Sequence, residues 1–243
     1  MLRAILNVAV SDAVILRNPC IVRGAGQEHS SERPLATAEQ IHQLSNAIRP
    51  HPKALVLLAG FGALRRGELF GLERRDVDLV GGQLSVQRQA VFLKDGSRKV
   101  TAPKSAAGVR TVGLPPFVID VLREHLDTWT GANATAPVFV GERGGPLGTV
   151  SLQVCFDEAR RATGLTQFTL HDLRHAGGTM AAWTGATTKE LMARLGHSTH
   201  DAALRYQHAA QSRDAEIAAK LDVFRPSEAQ GRAGESDTWI TSL

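Results

Sequence analysis

A chain of 243 residues, 43% hydrophobic and 21% charged, has the size and composition of one large globular domain with appendages, which excludes fibrous, collagen-like and wholly disordered classes. Its net charge of +4 suits a polyanionic partner, yet many proteins without one are as basic, so charge alone decides nothing. The apolar run "ALVLLAGFGAL" is too short to span a bilayer, no signal peptide is visible, and Cys20 and Cys155 match no metal-ligand spacing; a cytoplasmic protein with reduced thiols and no membrane partner is expected.

Leu2, Ile5, Leu6, Ala9 and Val10 recur at helical spacing, so residues 1–18 read as a helix stopped by Asn18-Pro19. Residues 1–22 are expected to be the last helix of an otherwise missing N-terminal unit, and 23–34, "RGAGQEHSSERP", a linker. The main domain is predicted over 35–224. It opens on the capping box Thr37-x-x-Gln40, with Ile41, Leu44 and Ile48 on one face, followed by short helices near 53–60 and 66–72. From residue 83 the period changes to two. "QLSVQRQAVFL", "RKVTA" and "VRTVGL", separated by the turns "KDGS" and "KSAAG", predict a three-stranded antiparallel meander closed by Pro115-Pro116. Helices are predicted near 116–127, 149–163, 169–183, 187–195, 200–208 and 213–221. Thr169-x-x-Asp172 and Thr187-x-x-Glu190 supply starts, and Gly164, Gly185 and Gly196 supply stops. The polar stretch 225–243 reads as a flexible tail.

Certain polar residues sit where this patterning does not ask for them. Arg65 and Arg66 follow an apolar helix beside Glu68, an arrangement also expected of a surface ion pair. His171 and Arg174 share a helix face near an N-terminus, which suits an anion. His197 follows the helix-ending Gly196, as a simple C-cap would. Lys104 occupies a turn, where a solvated lysine is ordinary. Tyr206, in "LRYQHA", is the single tyrosine of the chain. His171 and His175 also have zinc-like spacing, but Asp172 stands where the HExxH motif has Glu and no third ligand is placed, so no metal is expected.

Together these residues compose a site for phosphoryl transfer without a metal. A phosphodiester under attack gathers negative charge, which guanidiniums offset with bidentate geometry. Imidazoles exchange protons near neutrality, a tyrosine beside cations can act as nucleophile, and a lysine can protonate the departing oxygen.

The order "LRRGEL", "PKS", "HDLRH", "LGHS" and a following tyrosine resembles the catalytic domain of the tyrosine recombinases, the phage-integrase family, over residues 35–222. The resemblance implies a mainly α (α+β) fold: a helical catalytic domain with a small antiparallel sheet. It implies catalytic roles for Arg65, Lys104, His171, Arg174, His197 and Tyr206, with Glu68 supporting; Arg66 is left out. Tyr206 would attack a phosphate of double-stranded DNA, leaving a 3′-phosphotyrosine and a free 5′-OH, with no cofactor, metal or ATP. Relatives act as tetramers on paired sites, so a tetramer on DNA is expected, with a monomer possible in its absence. The apolar residues Ile217, Leu221 and Phe224 would form a docking helix, in trans or on their own domain. Two departures stand out. The N-terminal clamp is expected to be reduced to one helix, which would imply weak, salt-dependent DNA binding, and Ala202-Ala203 replaces the common Thr-Thr. A DNA-binding fragment without turnover and a type IB topoisomerase-like enzyme are the alternatives.

Overall fold

The computed structural model describes residues 2–21, 34–93, 95–103, 105–142 and 144–198. Among the features expected from sequence, Lys104, Tyr206, Ala202-Ala203 and the helices after residue 199 lie outside the described residues. Two compact units divide between Pro34 and Leu35. The first contains α1, Leu2–Ser11, shorter than the helix predicted over 1–18. The Ser11 hydroxyl donates to the Asn7 carbonyl, Ala13 turns left-handed at φ 55°, and the Asn18 side chain folds back to the Arg3 carbonyl at 2.9 Å. These local bonds compete with the next helical turn.

The second unit is helical around a small amount of sheet. In α2, Ala38–Ala47, the predicted capping box is formed: Gln40 N donates to the Thr37 hydroxyl and Thr37 N to the Gln40 side chain. Its predicted stripe, Ile41, Leu44 and Ile48, is buried. The next helix, α3 (Lys53–Gly60), is buried at every position after Lys53 and packs against α2 and two later helices, α5 (Pro116–Thr128) and α7 (Leu170–Trp183). Close approach to α7 depends on Gly177, where a Cβ would stand 1.8 Å from the Gly60 carbonyl oxygen. The short α4, Arg66–Gly71, follows, and α6 (Thr149–Thr163) and α8 (Thr188–Leu195) complete the helices of the described residues. Thr169 and Thr187 cap α7 and α8, while Gly164 and Gly196 close α6 and α8 at φ 71° and 62°. These are the starts and stops that the residue types predict.

Among the described residues all strand pairing is antiparallel, but the three-stranded sheet is not the simple meander. The first predicted strand divides into β2 (Gln83–Val86) and β3 (Gln89–Phe92). Between Pro34 and the end of α8, β2 pairs with β1 (Val77–Asp78) and β5 (Arg110–Gly113), giving the order β1-β2-β5. The hairpin partner of β3 is β4 (Arg98–Thr101), in register Gln89 opposite Thr101. The break has a steric cause. Gly71 at the end of α4 presses on the backbone of Arg88, where a Cβ would lie 2.8 Å from the Arg88 carbonyl oxygen. Arg88 itself is held by Asp76 at 2.5 Å. Residues 87–88 therefore leave the ladder, and β3, paired with β4, packs over α4. Among the described residues, no helix is long and apolar enough to cross a membrane.

Candidate active site

Glu68 organises the site. It lies at the third position of α4, where its Oε2 accepts the backbone N–H of Arg65 at 2.8 Å and so satisfies a donor at the helix start. Its Oε1 accepts from Arg65 Nη1 at 2.8 Å. Glu68 is only 2% exposed, so the surface-pair alternative is excluded. Burial pushes its carboxyl up, but the Arg110 guanidinium and the bonds from Arg65 outweigh burial and hold it below the usual carboxylate range. The group is thus a carboxylate enclosed by cations. Arg174 Nη1 approaches its Oε2 to 3.9 Å.

Arg65 keeps 39% of its side chain exposed, and its Nη2 donates to the Gly196 carbonyl at 3.0 Å. Arg174 projects from the second turn of α7 into the interior and is 2% exposed. Its guanidinium donates to the carbonyls of Ala63 and Leu195, the latter at 2.6 Å. Ala63 is fully buried with φ 52°, a left-handed conformation that costs an alanine about 1–2 kcal/mol. That turn aims the Ala63 carbonyl at Arg174. Left-handed Gly196 ends α8 and redirects the chain, and the His197 N–H returns to the Met192 carbonyl at 3.0 Å. The imidazole Nε2 then lies 3.3 Å from Arg174 Nη2. Since a guanidinium offers only donors, Nε2 accepts, and the neutral ring carries its proton on Nδ1. Burial first, then the charges of Arg174, Arg65 and Arg110, push the His197 pKa down to about 4, so the ring is neutral at pH 7.

Arg65, Glu68, Gln89, Pro103, Gly196 and His197 line a single open cleft of about 1140 Å³. Ser105 also lines it. His171 is exposed and bonds His175, Nε2 to Nε2 at 3.0 Å. It lines an adjoining pocket of about 480 Å³ with Arg160, and Arg66 borders both cavities. No cluster of three His, Cys, Asp or Glu side chains is arranged for a metal ion among the described residues. The cleft suits an anion: Arg65, Arg66 and the neutral imidazole of His197 line it, and buried Arg174 stands behind His197.

Arg110 was not among the residues singled out from sequence. It is 9% exposed and closes a two-point bond on Glu68 at 3.0 and 2.9 Å. Its signal was the strand period. In "VRTVGL" the inward positions are Arg110, Val112 and Leu114, all buried, and an arginine on the apolar face of a strand calls for a buried partner.

Fold and site together define a helical, sheet-bearing domain with an arginine-rich anion cleft, and the chain belongs to the phage integrase family, whose profile matches residues 35–213. It is 43% identical over 225 residues to a Mycobacterium tuberculosis protein named as an integrase of prophage phiRv2, covering 91% of this chain and 60% of that one. The integrase of Mycobacterium phage L5 is 34% identical over 223 residues, covering 90% and 59%. The chain therefore spans about 60% of the length of the curated relatives it matches. Among solved structures, the Tn1549 transposon integrase in complex with transposon right end DNA superposes with a TM-score of 0.75 at 21% identity, over 89% of this chain and 76% of that one. At that identity the likeness is one of fold.

Proposed function

We propose that this chain is the catalytic part of a site-specific DNA recombinase that cuts and rejoins strands through a 3′-phosphotyrosine on Tyr206. The observation that carries the reading is the network in which Arg65, Glu68 and His197 line one cleft and buried Arg174 stands behind it, 3.3 Å from His197 Nε2, in a chain of the phage integrase family. Arg65 and Arg174 offset the charge that develops on the nonbridging oxygens of the scissile phosphate. The Tyr206 oxygen attacks phosphorus, and its proton passes to the imidazole of His171, while His197, whose Nε2 already accepts from Arg174, is no proton acceptor. The bond to the 5′ oxygen breaks, and Lys104 delivers a proton to that oxygen. A 5′-OH of a partner strand reverses the step and frees Tyr206. One phosphoester is exchanged for another at each stage, so neither ATP nor a redox partner enters the balance.

Double-stranded DNA in the cytoplasm is the partner in this reading, bound as a tetramer on paired sites. A relative named for a prophage and another from a phage support an origin in a mobile element. Residues 35–224 form the catalytic domain in this reading, preceded by residues 1–22, which carry α1, and by the linker 23–34. The test is a nicked suicide DNA substrate, from which religation is impossible. The wild-type chain is expected to form an SDS-resistant covalent adduct, unaffected by EDTA, and Tyr206→Phe none. An adduct that survives Tyr206→Phe, or that strictly requires a divalent metal, overturns the mechanism.

A further inference from the structure

Arg110 is a strongly held cation on Glu68 that the proposed chemistry does not use. It opens β5 at a buried position, and its guanidinium reaches three separate segments. Nη1 and Nη2 grip Glu68 at 3.0 and 2.9 Å. Nε donates to the Arg194 carbonyl at 2.8 Å, and Nη1 also donates to the Gly108 carbonyl at 3.1 Å. Every guanidinium nitrogen thus has a protein acceptor, so Arg110 is held as a brace. Glu68 passes the constraint on, since Arg65 Nη1 and the Arg65 backbone N–H each lie 2.8 Å from its oxygens. The arm to Arg194 holds the end of α8, two residues before the glycine whose carbonyl accepts from Arg65. The arm to Gly108 holds the 3-10 turn Ala106–Gly108. Gly196 gives a second, independent sign of this packing. A Cβ there would stand 2.9 Å from Arg110 Nη1 and 3.0 Å from the Ala107 carbonyl oxygen. The chain is bare where the guanidinium passes.

We propose that Arg110 is a positioning residue for strand cleavage, orienting Arg65 through Glu68 and fixing the segments of Arg65 and His197 relative to each other without touching DNA. The proposal rests on the strand-cleavage reading above. Its competitor is a purely structural Arg110 that only neutralises the buried carboxylate.

A substrate pair separates them. A methylphosphonate at the scissile position replaces one nonbridging oxygen by methyl, so the linkage is neutral and its cleavage depends less on a well-placed guanidinium. Two variants are compared with wild type and with Arg65→Ala. Arg110→Lys keeps the charge but loses the fork. The paired change Glu68→Gln with Arg110→Met removes both buried charges and protects folding. Misplacing Arg65 is expected to slow cleavage of the phosphodiester by about 100-fold. The methylphosphonate slows by only about threefold, so the ratio of the two rates shifts at least about tenfold in the direction set by Arg65→Ala. Affinity for the uncleaved DNA stays within about threefold of wild type, because no phosphate contact is removed. Loss of folded protein scales both rates together and leaves the ratio unchanged, so even a partly folded sample decides the question. An unchanged ratio, or phosphodiester cleavage at the wild-type rate, overturns the positioning role alone. A wild type that forms no adduct overturns the strand-cleavage reading together with it.

Discussion

Glu68 is the residue on which the cleft's electrostatics turn, because its carboxylate meets Arg65, Arg110 and Arg174. Truncating it strands buried guanidiniums. Glu68→Ala should cost about 3–5 kcal/mol by urea unfolding, and Glu68→Gln clearly less, since an amide still accepts hydrogen bonds. Equal losses for the two variants would show that the charge is unimportant. His197 supplies a pH signature. Its folded pKa of about 4 lies below the 6.5 of a free imidazole, so between those values the unfolded chain binds more protons and stability rises with pH. Across that window the gain is on the order of 1–3 kcal/mol, discounted for partial solvent screening. His197→Asn should flatten the rise when unfolding is measured at pH 4.5 and 7, whereas an unchanged slope would place the titration elsewhere. At this scale the sequence was legible where a residue stood against its local pattern, as Arg65, Arg174 and His197 do. Arg110 was missed because its role depends on a carboxylate far away in sequence, and only the strand period marked it.

Among the elements, the ends of helices were the most readable. Thr37, Thr169 and Thr187 form their capping boxes with Gln40, Asp172 and Glu190 because those bonds are closed within four residues. The division between β2 and β3 was not readable, because what interrupts the ladder at Arg88 is Gly71, on a different element. Similarly, Gly177 sits within a helix that its neighbours would form without it, and only the proximity of Gly60 explains it. Gly177→Ala places a methyl 1.8 Å from a carbonyl oxygen and should cost at least about 1–3 kcal/mol, because α3 and α7 must separate. The crossing carries Arg174, so activity should fall with stability. Gly145→Ala, where a Cβ meets nothing within 4 Å, is the matched control and should leave unfolding unchanged. A tolerated Gly177→Ala would contradict the packing of the two helices.

For the whole molecule, the mainly helical class and the small antiparallel sheet followed from switches in hydrophobic period, which are local and strong. The convergence of distant motifs followed from family resemblance, since no spacing rule brings residues 65, 174 and 197 together. The cleft is basic at its rim, where Arg65 and Arg66 line it, and DNA binding should therefore be steeply salt-dependent. With several phosphate contacts, affinity measured by fluorescence anisotropy should drop at least about 100-fold between 50 and 200 mM salt. A flat salt profile would argue against phosphate binding in the cleft. The proposed intermediate is covalent, and chemistry at Tyr206 tests it most directly. The adduct formed on a suicide substrate can be digested with nuclease and protease and mapped by mass spectrometry. A nucleotide joined through its 3′-phosphate to the peptide containing Tyr206 is the predicted result. Attachment at any other residue, or through a 5′-phosphate, would contradict it.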